Sequence, residues 1–258
     1  MIHTVFFDID GTLVSHETNC VPPSTRRALA LLKDKGVRRI IATGRHLSEI
    51  ESLPMDGLAF DGYLMLNGQL CYDQNKNLIY GNPIEGPSLD ALVNIFEKKL
   101  FPIMFIEQNR MYINFINNTV RLAQESMSAW MPEVDEYRNN TVYQAVAFVT
   151  PEQKELLYKL LPQCRIAQWM ELAVDIVPKA SGKAAAVDRY LKFLGAERAG
   201  TMAFGDGSND VDMLKFVDVG VAVGNSEAHV QEAADYVTDH IDRDGIYNAL
   251  LRFGVIHE

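Results

Sequence analysis

Both ends of this 258-residue chain alternate short apolar strand patterns with helical patterns, and the middle third does not; that contrast constrains the fold most. Thr4 to Phe7 is an apolar, β-branched run. Ser24 to Lys35 sets Ala28, Leu29 and Leu32 at helical spacing behind a double proline, and Arg38 to Ala42 returns to strand. A short helix near Ser48 to Leu53 and a strand from Tyr63 to Leu66 complete a β-α-β-α-β order, which predicts a parallel sheet. Gln69 to Tyr80 reads as a hairpin around the turn formers Asp73 to Asn77.

The rhythm then changes. Leu89 to Leu100, Val120 to Trp130 and Glu152 to Leu161 read as helices among strands at Ile103 to Ile106, Met111 to Phe115, Tyr143 to Val149, Arg165 to Gln168 and Leu172 to Val177. After Pro178 the alternation resumes: helices at Lys183 to Leu194, Val211 to Phe216, Ser226 to Ala234 and near Ile246 to Phe253, strands at Thr201 to Phe204, Val219 to Val223 and Tyr236 to Thr238. The predicted class is α/β, with a doubly wound, Rossmann-like parallel-sheet core made of residues 1–82 and 179–258. Residues 83–178 form an inserted α+β domain.

Composition bounds the partners. Hydrophobic residues make up 48% and charged residues 22%, too apolar a mixture for a disordered chain. The 34 acidic residues outnumber the 24 basic ones, giving a net charge of -10 that repels polyanions, so neither nucleic acid nor an anionic membrane is expected as partner. A small anion remains acceptable, because a few fixed donors and a metal outweigh a screened surface field at contact range. Cys20, Cys71 and Cys164 lack the paired spacing of a disulfide framework or zinc site and read as reduced. No run reaches the ~18 apolar residues of a membrane helix and no signal-peptide pattern opens the chain, so a cytoplasmic location is expected. The oligomeric state does not follow from the sequence.

Four strand-to-helix turns carry the residues with chemistry in them. Asp8-Ile9-Asp10-Gly11-Thr12 stands where the first strand stops; carboxylates two positions apart on an extended chain point the same way, and the glycine permits a sharp turn. Gly205-Asp206-Gly207-Ser208-Asn209-Asp210 repeats the acidic turn at a later strand end. Either alone reads as a solvated turn. Together, at the strand ends where open parallel sheets bind ligands, they form a cluster of hard oxygen donors suited to Mg²⁺. Thr43-Gly44-Arg45 and Ser181-Gly182-Lys183 add a hydroxyl, free N–H groups and an ammonium at helix starts, which is what a phosphate dianion needs, although each alone reads more simply as an N-cap or a snorkelling lysine. Other templates fail: a dinucleotide fingerprint would need a third glycine at Asp210, and Lys183-Ala184 lacks the Ser or Thr of a P-loop.

The ordered set Asp8-x-Asp10-Gly11-Thr12, Thr43-Gly44-Arg45, Lys183 and Gly205 to Asp210 resembles the four motifs of haloacid dehalogenase-type phosphatases, and it spans the chain. The insert resembles the cap domain of the Cof-type, sugar-phosphatase-like subgroup in its length, position and element order. This resemblance implies Mg²⁺-dependent hydrolysis of small organic phosphate monoesters, with sugar phosphates as the substrate class. Asp8 would attack phosphorus to form an aspartyl-phosphate, while Asp10 would protonate the leaving oxygen and later activate water. Asp8, the Asp10 backbone carbonyl, Asp206 and Asp210 would hold the metal, Asp210 through water; Ile9, Thr43, Gly44, Lys183 and Asn209 would hold the phosphate.

With Asp10 protonated, the other three carboxylates outnumber Lys183, so the empty site repels phosphate and a divalent cation is required. An acid at position 10 also disfavours ion pumping and dehalogenation, whose leaving groups need no such proton. A hexose phosphomutase and a non-catalytic phospholigand-binding regulator stay open as alternatives, the first marked by a bisphosphate requirement. Asn67-Gly68, Trp169, Met170, Glu171 and Asp175 are candidates to face substrate, although a turn for the first pair and core or strand pairing for the rest is the simpler reading. His46 reads as a surface histidine. Closure of the cap would exclude water.

Overall fold

The computed structural model describes residues 1–126 and 130–257, the Trp169 side chain excepted. The chain opens with β1 (Thr4–Phe7), α1 (Pro23–Asp34), β2 (Arg38–Ala42), β3 (Gly62–Met65), β4 (Leu70–Asp73) and β5 (Leu78–Gly81). The insert follows as α2 (Gly86–Glu97), β6 (Ile103–Ile106), β7 (Met111–Ile113), α3 (Asn118–Ser126), β8 (Gln144–Phe148), α4 (Pro151–Leu160), β9 (Cys164–Met170) and β10 (Ala173–Pro178). It returns through α5 (Lys183–Leu194), β11 (Thr201–Gly205), α6 (Val211–Phe216), β12 (Val219–Ala222), α7 (Ala228–Gln231), β13 (Tyr236–Val237) and α8 (Gly245–Arg252). Two compact units result: Met1–Tyr80 with the chain from Gly182 onward, and Gly81–Ser181. The division falls slightly outside residues 83–178 at each end.

The first unit is built on a sheet of strand order β13-β12-β11-β1-β2-β3-β4-β5. Every pair from β13 to β3 is parallel, β4 folds back antiparallel on β3, and the hairpin expected around Asp73 to Asn77 corresponds to β4 and β5, neighbours at the end of the sheet. The order runs outward in both directions from β1, so the crevice beyond its carboxyl end is a topological switch point. Phe6, Phe7, Ile9, Ile40, Ile41 and Phe204 are fully buried, each stabilising the core by roughly 1.5–3 kcal/mol. Phe7 sits opposite Phe204 in register with the rings stacked at 5.4 Å, which fixes β1 against β11 just before their acidic turns.

Helix α5 covers this sheet. Ala186, Val187, Tyr190 and Leu191 pack with Phe6, Ile40, Leu64 and Ala203, following the helical spacing of the sequence. It starts after Gly182 at φ 144° and stops at Gly195 in the left-handed conformation, φ 62°, a glycine C-cap. One expected helix is shorter than its pattern: Ser226 to Ala234 yields only Ala228–Gln231. The cause is Asp235, whose N–H donates to the Gly220 carbonyl and whose carboxylate accepts from the Gly220 N–H, drawing the chain into β13.

The second unit is an antiparallel sheet of order β7-β6-β8-β10-β9. Alternate residues Ile103 and Phe105, Ala145 and Ala147, Val174 and Ile176 form one apolar face, covered by Leu92, Ile95 and Phe96 of α2 and Leu157 of α4. The expected helix from Val120 to Trp130 is described as Asn118–Ser126; residues 127–129 lie outside the described residues, and Trp130 is not helical. Among the described residues no helix is long and apolar enough to cross a membrane. All three cysteines are free.

Candidate active site

Strand β1 ends by delivering Asp8 to the switch point. The Asp8 N–H continues the ladder to the Phe204 carbonyl at 3.0 Å; beyond it the Ile9 carbonyl accepts from Leu13 and Val14, coiling the chain into a tight loop. Gly11 closes that loop at φ 79°, and a Cβ there would lie 2.2 Å from Oδ2 of Asp206. Only glycine meets both conditions, so the two acidic turns interlock at this residue. Thr12 Oγ1 donates to Asp206 Oδ1 at 2.8 Å, and Asn225 Nδ2 donates to the Gly11 carbonyl at 2.8 Å.

Helix α5 brings Lys183 into the cluster from the other side. Its Nζ donates to Asp8 Oδ1 at 2.6 Å and Asp210 Oδ1 at 2.5 Å, and all three residues are buried. Asp210 spends its second oxygen on the N–H groups of Asp206 and Gly207, which fixes the second acidic turn. Carboxylate oxygens of Asp8, Asp206 and Asp210 lie within 4.8 Å of one another.

One ammonium serves three carboxylates here, and the ionisation behaviour reflects the shortfall. Burial drives the Asp8 carboxyl well above the ordinary range; Lys183 opposes the rise and Asp210 adds to it. Burial alone would depress Lys183, but Asp210 and Asp8 outweigh it, so the ammonium stays charged. Asp206 is pushed up to about 6, chiefly by burial, with the Thr12 hydrogen bond opposing and Asp210 reinforcing. A hard divalent cation fits this donor set: the ligands are all oxygen, they converge, and they carry negative charge that the protein leaves unbalanced.

Asp10 is placed differently from the three clustered carboxylates. Arg45 grips it as a fork, Nε to Oδ2 at 2.7 Å and Nη2 to Oδ1 at 2.8 Å, so both oxygens are engaged. The charge count from sequence left Arg45 out; with Asp10 paired, the site holds four carboxylates and two fixed cations. Thr43 is buried and accepts the Arg45 N–H at 3.2 Å on its hydroxyl. Among the described residues the N–H groups of Ile9 and Gly44 have no hydrogen-bond partner, which leaves two backbone donors beside the cluster. Asn209 is exposed and donates through Nδ2 to Asn67 Oδ1 at 2.9 Å.

Sequence reasoning undervalued Arg45, Thr12, Asn67 and Asn225. Arg45 stood in the quoted Thr43-Gly44-Arg45 turn, but its partner lies 35 residues away. His46 corrects an expectation. It is buried, not on the surface, and its ring accepts from the Ser48 N–H while the His46 backbone N–H donates to Glu49 Oε2 at 2.7 Å, capping the short 3₁₀ helix Leu47–Ser52. In the second unit Met170 ends β9, Glu171 occupies the following turn and Asp175 stands mid-strand in β10 opposite Val146 and Ala167. The Trp169 side chain lies outside the described residues.

Comparisons with known proteins extend this picture. The profile of the haloacid dehalogenase-like hydrolases matches residues 5–250. YkrA of Bacillus subtilis (strain 168), provisionally named a phosphatase, is 31% identical over 255 residues, covering 98% of each chain. The structure of BT1666 from Bacteroides thetaiotaomicron, described among phosphatases of this superfamily, superposes with a TM-score of 0.89 at 30% identity, covering 99% of this chain and 96% of that one. The subclass IIB sugar phosphatase BT4131 superposes with a TM-score of 0.81 at 33% identity, covering 98% of this chain and 99% of its own. Joined to the acidic switch-point cluster, these matches lead to one conclusion: the chain belongs to the haloacid dehalogenase-like hydrolase family, in its Cof-type branch.

Proposed function

We propose that this phosphoric monoester hydrolase acts on small organic phosphates, sugar phosphates foremost, with Asp8 as nucleophile, Asp10 as general acid and base, and Mg²⁺ as cofactor. The observation that carries the reading is the buried Asp8–Lys183–Asp210 set at the switch point, with Asp206 beside it. The sugar phosphatase similarity of BT4131 supports the substrate class.

The chain's own groups suit each step. Lys183 holds Oδ1 of Asp8, leaving Oδ2 without a protein partner among the described residues and therefore available to attack. Attack forms an Asp8 O–P bond and breaks the bond from phosphorus to the leaving oxygen, which takes a proton from Asp10. Water then attacks the aspartyl-phosphate, the Asp8 O–P bond breaks, and Asp10 recovers a proton from the water. Because Arg45 engages both Asp10 oxygens, its fork must open before Asp10 can serve either transfer. Thr43, Lys183 and the Ile9 and Gly44 N–H groups offer donors to the transferring oxygens. Mg²⁺ would be held by Asp8, the Asp10 carbonyl, Asp206 and Asp210, and it supplies charge neutralisation for a dianion in a carboxylate-rich site.

The test is phosphate release from a panel of sugar phosphates, nucleotides and acyl phosphates, with Mg²⁺ or EDTA, for wild type and Asp8→Asn. Release that needs Mg²⁺ and vanishes in the folded variant supports the reading and ranks the substrates. Full activity in Asp8→Asn removes Asp8 as nucleophile. No release from any compound by folded wild-type protein turns attention to the phosphomutase, assayed with a bisphosphate.

A further inference from the structure

The turn after β3 has no role in the chemistry above, yet it touches three of the turns that grip phosphate. Leu66, Asn67 and Gly68 hold consecutive positive φ values of 53, 52 and 90°. A left-handed leucine is costly and persists only where its surroundings over-determine it. Here they do. The Leu66 N–H donates to the Arg45 carbonyl at 3.1 Å and the Asn67 N–H to the Thr43 carbonyl at 2.9 Å. A Cβ on Gly68 would lie 2.7 Å from the carbonyl of Gly182, the residue before Lys183. Asn67 Oδ1 accepts the Asn209 amide, tying on the second acidic turn. Its remaining donor, Nδ2, has no partner among the described residues and sits beside Gly44, where a Cβ would approach it to 3.3 Å.

We propose that Asn67 is a phosphate-positioning residue of this site: Oδ1 orients the Asn209 amide, and Nδ2 donates to a phosphoryl oxygen held at Gly44. The inference rests on the phosphatase reading. An amide suits the place for two reasons at once. Asparagine tolerates the left-handed conformation that the turn imposes, and it presents an acceptor and a donor on one short side chain.

The experiment compares wild type with Asn67→Gly, Asn67→Asp and Asn209→Ala, measuring binding of inorganic phosphate with Mg²⁺ by calorimetry and steady-state hydrolysis of one phosphate monoester. Glycine keeps the backbone conformation and deletes the amide; aspartate keeps the conformation and the acceptor, and replaces the donor with a charge that repels phosphate. Both variants should melt within a few degrees of wild type. Both should bind inorganic phosphate about tenfold or more weakly, as expected for a lost hydrogen bond to a charged group, and raise KM more than they lower kcat. Asn67→Gly combined with Asn209→Ala should lose less than the product of the single losses.

Binding within twofold of wild type in Asn67→Gly would reduce Asn67 to a turn former, and the same result in the isosteric Asn67→Asp decides the matter if the glycine variant fails to fold. Independent losses in the double variant would overturn the clamp on Asn209. Folded wild type that hydrolyses the ester while the variants match it overturns this inference alone; wild type that neither binds phosphate nor hydrolyses any ester overturns the phosphatase reading with it.

Discussion

Replacing Lys183 with methionine isolates the electrostatic problem at the centre of the site. The side chain is 1% exposed and its ammonium stands 2.6 and 2.5 Å from Asp8 and Asp210, themselves 6% and 1% exposed. At an effective dielectric near 20 each contact is a gross attraction of about 6 kcal/mol, much of it offset by the cost of desolvating the ions. Methionine fills similar volume and leaves two buried carboxylates facing each other with no cation. Removing one partner of a buried pair typically costs about 3–5 kcal/mol, and that is the expected loss at pH 8 without metal. Burial already raises Asp8, and without the ammonium that carboxyl gains a proton more readily. A raised carboxyl stabilises the fold at low pH and loses that contribution as pH rises, so the deficit should shrink toward pH 5.5. The assay is urea unfolding in EDTA at both pH values, followed by circular dichroism; tryptophan fluorescence separates the second unit, because Trp130 and Trp169 both belong to it. Excess Mg²⁺ at pH 8 should restore part of the loss. A deficit under about 1 kcal/mol that ignores pH and Mg²⁺ would refute the claim that an uncompensated buried charge governs this site.

Three further outcomes follow from the geometry. Gly11→Ala, with a Cβ 2.2 Å from Asp206 at φ 79°, should fold with about 1–3 kcal/mol less stability and bind Mg²⁺ at least tenfold more weakly, measured by calorimetry; unchanged affinity would show that the two turns can separate freely. Asp206, raised from 3.8 to about 6, should release most of a proton when Mg²⁺ binds near pH 5.5 and almost none at pH 8, read from calorimetry in buffers of different ionisation heat. In the metal-free protein the same group withdraws up to about 3 kcal/mol of stability as pH climbs from 4 to 6. Arg45→Ala breaks a pair that is one-third exposed, so the melting temperature should move little, whereas turnover should fall at least tenfold because Asp10 loses the fork that places it; equal turnover would make the fork incidental.

The elements that place the site were legible where local and tertiary signals agree. Helix α5 follows its apolar spacing from Lys183 to the glycine at 195, and β1 stops where the apolar run meets Asp8. What the sequence hid was side chains meeting across long separations. Thr12 and Asp206 are 194 residues apart, Asn225 and Gly11 214, and nothing in either segment names the other. Asn67-Gly68 looked like an ordinary turn because its left-handed backbone is local, while its contacts to Thr43, Asn209 and Gly182 are not. His46 misled for a related reason: a lone histidine beside charged residues resembles surface until the capping box that buries it is seen.

Arg45 also alters what the charge balance means. Four carboxylates, Asp8, Asp10, Asp206 and Asp210, face two fixed cations, Lys183 and Arg45, so the ionised site carries two negative charges. A monovalent ion would leave one, and at ~4 Å that residue of charge repels each phosphate charge by roughly 1–4 kcal/mol depending on how dry the site is. A divalent ion brings the site to neutrality before substrate arrives, without drawing on a chain whose overall charge is -10. Neutrality also explains why the two cations are not equivalent. Lys183 is buried between Asp8 and Asp210 and cannot leave without stranding both; Arg45 is one-third exposed and holds the carboxylate that the proposed reaction requires to exchange protons. Lys183 therefore preserves the architecture, while Arg45 would have to release Asp10 for the proposed proton transfers.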